Sequence, residues 1–223
     1  EFLTNPVSVE STPENTTVEA IEQQVYRVAK AKKTDLLIKL ISEGNWEQVL
    51  VFSRTKHGAN KLAKKLEAAN IGAAAIHGNK SQAARTKALA GFKEGSVKVL
   101  VATDIASRGL DIPLLPYVVN FELPNVAEDY VHRIGRTGRA GASGLAVSLV
   151  SADETSYLTD IQKLIGHQIP VNILEGFEPD PNASTKPINP QQRGRKPQSN
   201  SHSGNSRSSN QRSSGARAGK SRQ

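Results

Sequence analysis

The chain contains no cysteine and no methionine, and only one tryptophan, four tyrosines and five phenylalanines among its 223 residues. Without cysteine there are no disulfides and no thiolate metal sites, and nothing points to an oxidising compartment. No apolar run approaches the roughly 18 residues that span a bilayer, and no signal-peptide pattern opens the chain. The expectation is a soluble, cytoplasmic protein. The missing methionine, absent even at position 1, reads as a processed chain or a piece of a longer product. A last absence is local. From Pro181 onward there are nine Lys and Arg, no Asp or Glu, and one large apolar residue, Ile188. Residues 1–180 hold 20 basic and 21 acidic side chains, so the formal net charge of +8 belongs to the tail.

What remains is organised in three parts. Residues 1–17 are rich in Thr, Ser, Asn, Pro and Glu and read as an extended lead-in. Residues 18–175 alternate short β-branched runs with amphipathic segments. The runs are 23–29, 48–53, 73–77, 97–103, 117–122 and 144–150, and several are continuous in the manner of strands buried on both faces of a parallel sheet. The helical patterns cover 32–44, 56–70, 81–95 and 153–166, with Gly44, Gly72 and Gly95 placed where C-caps belong. This alternation predicts right-handed crossovers and a doubly wound, mostly parallel α/β sheet flanked by helices. Such sheets bind ligands beyond the carboxyl ends of their strands. Residues 176–223 are low-complexity Ser/Asn/Gln/Gly with scattered Arg, too poor in apolar area to offset ordering entropy, and are expected to be disordered.

The stretch HRIGRTGRAG (132–141) sets three arginines and a histidine among three glycines, with no acid. The preceding NVAEDYV suits a short helix carrying Tyr130, Val131 and Ile134. His132 and Arg136 then share a helical face, with Arg139 following if the helix persists. Glycine permits close backbone approach to a bulky partner, and arginine suits planar, bidentate contact with phosphate oxygens.

VLVATDIASRGLDIP (99–113) and HRIGRTGRAG resemble motifs V and VI of the DEAD-box RNA helicases. VLVFSRTKHGA (49–59) resembles their motif IV, and 74–95 the segment bearing their Gln-x-x-Arg motif. All four stand in family order and spacing over about residues 18–175, and phrases such as GNWEQVLVFSRTKHGAN are nearest the RhlE-type bacterial branch. The resemblance implies a RecA-like fold and the second of two lobes, since no Walker phosphate loop, Asp-Glu-Ala-Asp, Ser-Ala-Thr or adenine-reading Gln motif is present. It implies ATP as cofactor, with Mg²⁺ held by the lobe not in this sequence, so the chain by itself is expected not to hydrolyse ATP.

Roles follow residue by residue from the same resemblance. Arg136 and Arg139 would act as arginine fingers on the γ-phosphate, and Asp111 would bind the ATP ribose. His132, Arg133 and Arg108 would couple the lobes. Thr55, Gly78, Gln82, Arg85, Thr103 and Gly109 would contact RNA sugar and phosphate without reading sequence. Plainer readings stand beside these: helix caps for Thr55 and Thr103, a turn cap for Asp111, a local salt bridge for Arg108, a structural histidine for His132. The tail would tether RNA in a salt-dependent way, or serve as a solubilising linker. The implied partners are RNA, the N-terminal lobe of the same polypeptide and ribosome-assembly or RNA-degradation factors, with no membrane. Two other functions fit fewer features: a stand-alone, non-catalytic RNA-binding chaperone, and the motor half of another superfamily 2 translocase.

Overall fold

A computed structural model describes residues 21–107, 110, 112, 115–137 and 144–186. The expected lead-in and most of the tail lie outside these residues. Seven strands form one sheet: β1 (Glu22–Arg27), β2 (Val49–Phe52), β3 (Ala73–Ile76), β4 (Val99–Ala102), β5 (Tyr117–Asn120), β6 (Leu145–Val150) and β7 (Val171–Asn172). Their spatial order is β3-β4-β2-β5-β6-β1-β7, and every pairing is parallel. The helices are α1 (Lys33–Glu43), α2 (Lys56–Ala68), α3 (Gln82–Glu94), α4 (Asp104–Ser107), α5 (Ala127–Ile134) and α6 (Thr155–Ile165).

The continuous apolar runs become strands covered on both faces. In β2, Val49 and Val51 pack towards α1 and α2 with Leu37, Leu62 and Leu66. Leu50 and Phe52 point the other way, to Phe92 of α3 and Ala106 of α4. Val25, Ala146 and Val150 meet Tyr130 and Ile134 of α5 and Leu158 and Ile161 of α6. One face therefore carries α1 and α2, and the other the remaining helices. Phe52 and Leu100 are essentially unexposed, and burying a side chain of that size stabilises by roughly 1.5–3 kcal/mol.

Local punctuation differs in places from the sequence pattern. Gly95 ends α3 in the left-handed conformation at φ 83°, as a C-cap glycine should. Gly44 follows α1 with right-handed geometry. Gly72 caps nothing: Asn70, at φ 61°, turns the chain out of α2. Gly72 instead lies so close to the Ser96 carbonyl that a Cβ would approach it to 2.6 Å. The two-residue β7 was not anticipated, and the packed chain runs past residue 175, since Phe177 leans on the core.

Candidate functional site at the carboxyl edge of the sheet

Because all strands run one way and their register is flush, the loops after them emerge side by side. Phe52 pairs with Ala102 and Asn120, Ile76 with Ala102, and Asn120 with Ser148. Chemistry-bearing residues from distant sequence positions thus gather along one edge.

The centre of that edge is Arg133, which is 2% exposed. Its Nε and Nη2 donate to the two Asp104 carboxylate oxygens at 2.6 and 2.9 Å. Its Nη1 donates to Asn120 Oδ1 at 3.1 Å and to the Glu122 carbonyl at 2.7 Å. The guanidinium lies 4.9 Å from the Phe52 ring centroid, and Asn120 donates onward to Ser148 Oγ at 3.2 Å. A buried guanidinium is tolerable only with such extensive pairing. Against the expectation that Arg133 reaches a neighbouring lobe, four of its five N–H donors are spent inside its own. The cause is helical phase. Consecutive positions differ by about 100°, so His132 is exposed while Arg133 falls on the buried face with Tyr130 and Ile134.

The helix does not persist to Arg139. It stops at Ile134, with Gly135 at the C-cap, so His132 and Arg136 do not share a helical face. Arg136 sits half-buried in the following turn, its N–H donating to the Arg133 carbonyl at 3.2 Å and its carbonyl accepting from Leu115 at 3.0 Å. Thr137 donates its hydroxyl to the Leu115 carbonyl, anchoring the turn to the strand β5 approach. The Arg136 guanidinium itself has no hydrogen-bond or ion-pair partner among the described residues. Arg108, Gly109, Asp111 and Arg139 lie outside the described residues.

A second set stands beyond β2, β3 and β4. Thr55 is the N-cap of α2, and its hydroxyl accepts from the Gly58 N–H at 3.0 Å, which leaves its own proton to donate. Ser81 caps α3 in the same way, and Gln82 and Arg85 occupy the first turn, Arg85 Nη1 donating to Gln82 Oε1 at 3.4 Å. At Gly78 a Cβ would meet nothing within 4 Å, so the lobe itself does not demand glycine there. Thr103 is half-buried directly after β4, its carbonyl accepting from Ala106 and Ser107 at 3.0 Å. The structure therefore brings Thr55, Gly78 and Thr103 to the ends of three adjacent strands, with Gln82 and Arg85 beside them.

Sequence reasoning missed an ionic cluster on the same edge. Lys33, 3% exposed at the start of α1, donates to the Phe121 carbonyl at 2.9 Å and to Glu154 Oε2. Glu154, 1% exposed, also accepts from the Leu123 N–H at 3.1 Å and from Ser151 Oγ at 3.1 Å. Glu122 accepts from Ser53 Oγ at 3.0 Å and from the Arg54 N–H at 2.9 Å. Burial pulls the Lys33 ammonium below the usual lysine range, against the pull of Glu154. For Glu122, burial pushes upward, but the Arg54 N–H and guanidinium and the Ser53 hydroxyl hold the carboxyl below its ordinary value. The available signal was acid placed just past strand runs, in NFE and SADE; Asp104, in VATD, carried the same mark.

Among the described residues no helix is long and apolar enough to cross a membrane. The helicase conserved C-terminal domain family matches residues 32–141. ATP-dependent RNA helicase RhlB of Pseudomonas syringae pv. tomato is 41% identical over 169 residues, which are 76% of this chain and 43% of that protein. DEAD-box ATP-dependent RNA helicase CshA of Bacillus subtilis is 44% identical over 162 residues, 73% of this chain and 33% of its own length. The chain thus spans less than half the length of these curated relatives. Among solved structures, the E. coli DEAD-box protein SrmB bound to regulator of ribonuclease activity A superposes with a TM-score of 0.69 at 36% identity, covering 74% of this chain and 98% of that one. The C-terminal domain of the DEAD-box protein Dbp5 gives 0.64 at 35% identity, covering 70% and 92%.

Proposed function

The chain belongs to the helicase conserved C-terminal domains of the DEAD-box proteins, and from that premise we propose that it works as the second RecA-like lobe of an ATP-dependent RNA helicase acting in the cytoplasm. The observation that carries this reading is the opposite fate of two arginines three residues apart. Arg133 is consumed in a buried knot, while the Arg136 guanidinium, in the hydrogen-bonded turn that follows, has no partner among the described residues. A guanidinium on such a turn, with no partner among the described residues, is suited to charge that develops on a transferring phosphoryl group.

In the assembled enzyme the Arg136 guanidinium, with Arg139, supplies the finger contacts to the γ-phosphate of ATP, and Asp111 meets the ribose. Mg²⁺ is assigned to the other lobe. His132, exposed on α5, and Arg108 make the interlobe contact; Arg133 serves it only indirectly, by fixing their scaffold. RNA lies along Thr55, Gly78, Gln82, Arg85, Thr103 and Gly109, where hydroxyls, an open glycine and the first-turn N–H groups of α3 address phosphates without reading bases. Closure of the two lobes would bend one strand and open a short duplex. The domain plan is 1–17 as interlobe linker, 18–175 as the lobe, extended by the packing of Phe177, and 176–223 as an RNA-tethering tail. Kinship to the RhlE-type branch, and partners in ribosome assembly or RNA degradation, belong to the same proposal.

The test is reconstitution. The chain alone should show no RNA-stimulated ATPase, and fusion to a first lobe should restore it. Arg136→Ala in the fusion should then lower kcat about 10³-fold or more, the scale of an arginine finger. ATP turnover by the lone chain, or a fusion indifferent to Arg136→Ala, would overturn the reading.

A further inference from the structure

A pocket of about 360 Å³ opens between α1 and α2, over the carboxyl ends of β2, β5 and β6. It is separate from the Arg136 turn and from the Gly78–Arg85 rim, and nothing in the proposed reaction uses it. Its walls hold five cations, Lys30, Lys33, Arg54, Lys61 and Lys65, against two carboxylates, Glu122 and Glu154. The carboxylates are already occupied. Glu154 accepts from Lys33, Ser151 and the Leu123 N–H, and Glu122 from Ser53 and the Arg54 N–H. They neutralise the floor and leave the mouth positive.

Three donors are left over. The ammonium of Lys33 has three N–H bonds, two of them spent on Phe121 and Glu154, in a side chain only 4% exposed. Lys61 and Lys65 stand one turn apart on α2, both exposed, and neither meets an acid among the described residues. At that spacing their stems are about 5–6 Å apart, close enough to grip one anion together. The amino ends of α1 and α2 both begin at this pocket, with Lys33 and Thr34 in one first turn and Gly58 in the other. Two helix dipoles add to the same sign of potential. Gly58 is required here: a Cβ would come within 2.7 Å of Ser53 Oγ and 3.0 Å of Thr55 Oγ1.

We propose that this pocket is a second anion site, which takes a phosphate monoester group through Lys33, Lys61, Lys65 and the first turns of α1 and α2. Its size is that of a small-molecule site and not of an extended nucleic-acid groove. The monoester has two sources, a free phosphorylated small molecule or the 5′-terminal phosphate of an RNA. Arg54 lines the pocket and directly precedes Thr55, so occupancy is felt next to the proposed RNA contact, and any effect on RNA affinity must be reciprocal.

The test is an amide chemical-shift titration of the whole 223-residue chain. The probes are inorganic phosphate, ribose 5-phosphate, and an RNA tetranucleotide with and without a 5′-phosphate. Saturable shifts centred on Thr34, Gly58, Lys61 and Lys65 are expected, weakened about tenfold or more in the Lys61→Gln/Lys65→Gln pair, equivalent to losing one good charged contact. Tighter binding of ribose 5-phosphate than of the phosphorylated RNA identifies a free ligand, and the reverse identifies an RNA end. The proposal fails if shifts do not saturate, if they spread over all surface lysines, if the pair binds like the parent, or if the RNA lacking its phosphate binds this pocket equally well. Both variants lie outside the residues assigned to ATP and RNA, so failure here leaves the helicase reading untouched, and failure of reconstitution leaves this site untouched.

Discussion

His77 follows β3 directly, is 4% exposed, and has no hydrogen-bond partner at either ring nitrogen among the described residues. Burial first, and then the charges of Lys80, Lys56 and His57, hold its pKa below the ordinary histidine value. The fold therefore prefers the neutral ring. The stability this contributes is complete above pH about 6.5 and is lost as pH falls from there towards the lowered native pKa, because the unfolded chain then binds a proton the native state refuses. Urea midpoints should drop between pH 7.5 and 5.5, and His77→Phe should flatten that drop. An equal drop in parent and variant would show that the ring titrates freely. The neighbouring Gly78 makes this a matter of function as well: the same acidification should loosen the segment proposed to hold RNA.

At the scale of elements, α5 is a helix of eight residues whose placement rests on one side chain. Arg133 ties it to α4 through Asp104, to β5 through Asn120 and to β2 through Phe52. Arg133→Met keeps the bulk but strands Asp104 and Asn120, so a loss of about 3 kcal/mol is expected in equilibrium unfolding, at the low end for breaking a buried pair because Asp104 is partly solvated. A change under roughly 1 kcal/mol, the range of an exposed pair, would mean the knot is dispensable. In the fused enzyme this variant should also impair ATPase although Arg133 touches no substrate. None of this was visible in the sequence, where the partners lie 29 and 13 residues away. Periodicity located the six longer strands and the four longest helices because each buries a continuous run or a stripe. It missed β7, with two residues, and α4, with four, which are too short to show a period. It also extended α5 beyond Gly135, since a run of basic residues carries no apolar signal for where a helix ends. The positions proposed to contact RNA stood out in the sequence because the motifs that bear them follow strand runs. Lys33 and Glu154 did not, since a buried ion pair made from a helix start and a distant turn leaves no local pattern.

Across the whole molecule, charge is divided by task. The lobe and its lead-in are close to neutral, with 20 basic and 21 acidic residues up to Asp180. The nine cations after Asp180 have no acid near them in sequence, and their contribution to RNA binding should be the diffuse, counterion-releasing kind. Lobe and tail should differ in salt dependence. If all nine met phosphates of a single strand, the slope of log K against log salt would steepen by at most about 6. A chain ending at Asp180 should therefore bind RNA more weakly at low salt, with a shallower slope, and approach the full chain at high salt where screening cancels the tail. The lobe's own contacts are mostly neutral hydroxyls and helix amides, with Arg85 the cation among them, so the residual slope should be small. An identical slope in the two chains would remove the tail from RNA binding and leave the carboxyl edge of the sheet as the whole of the interface.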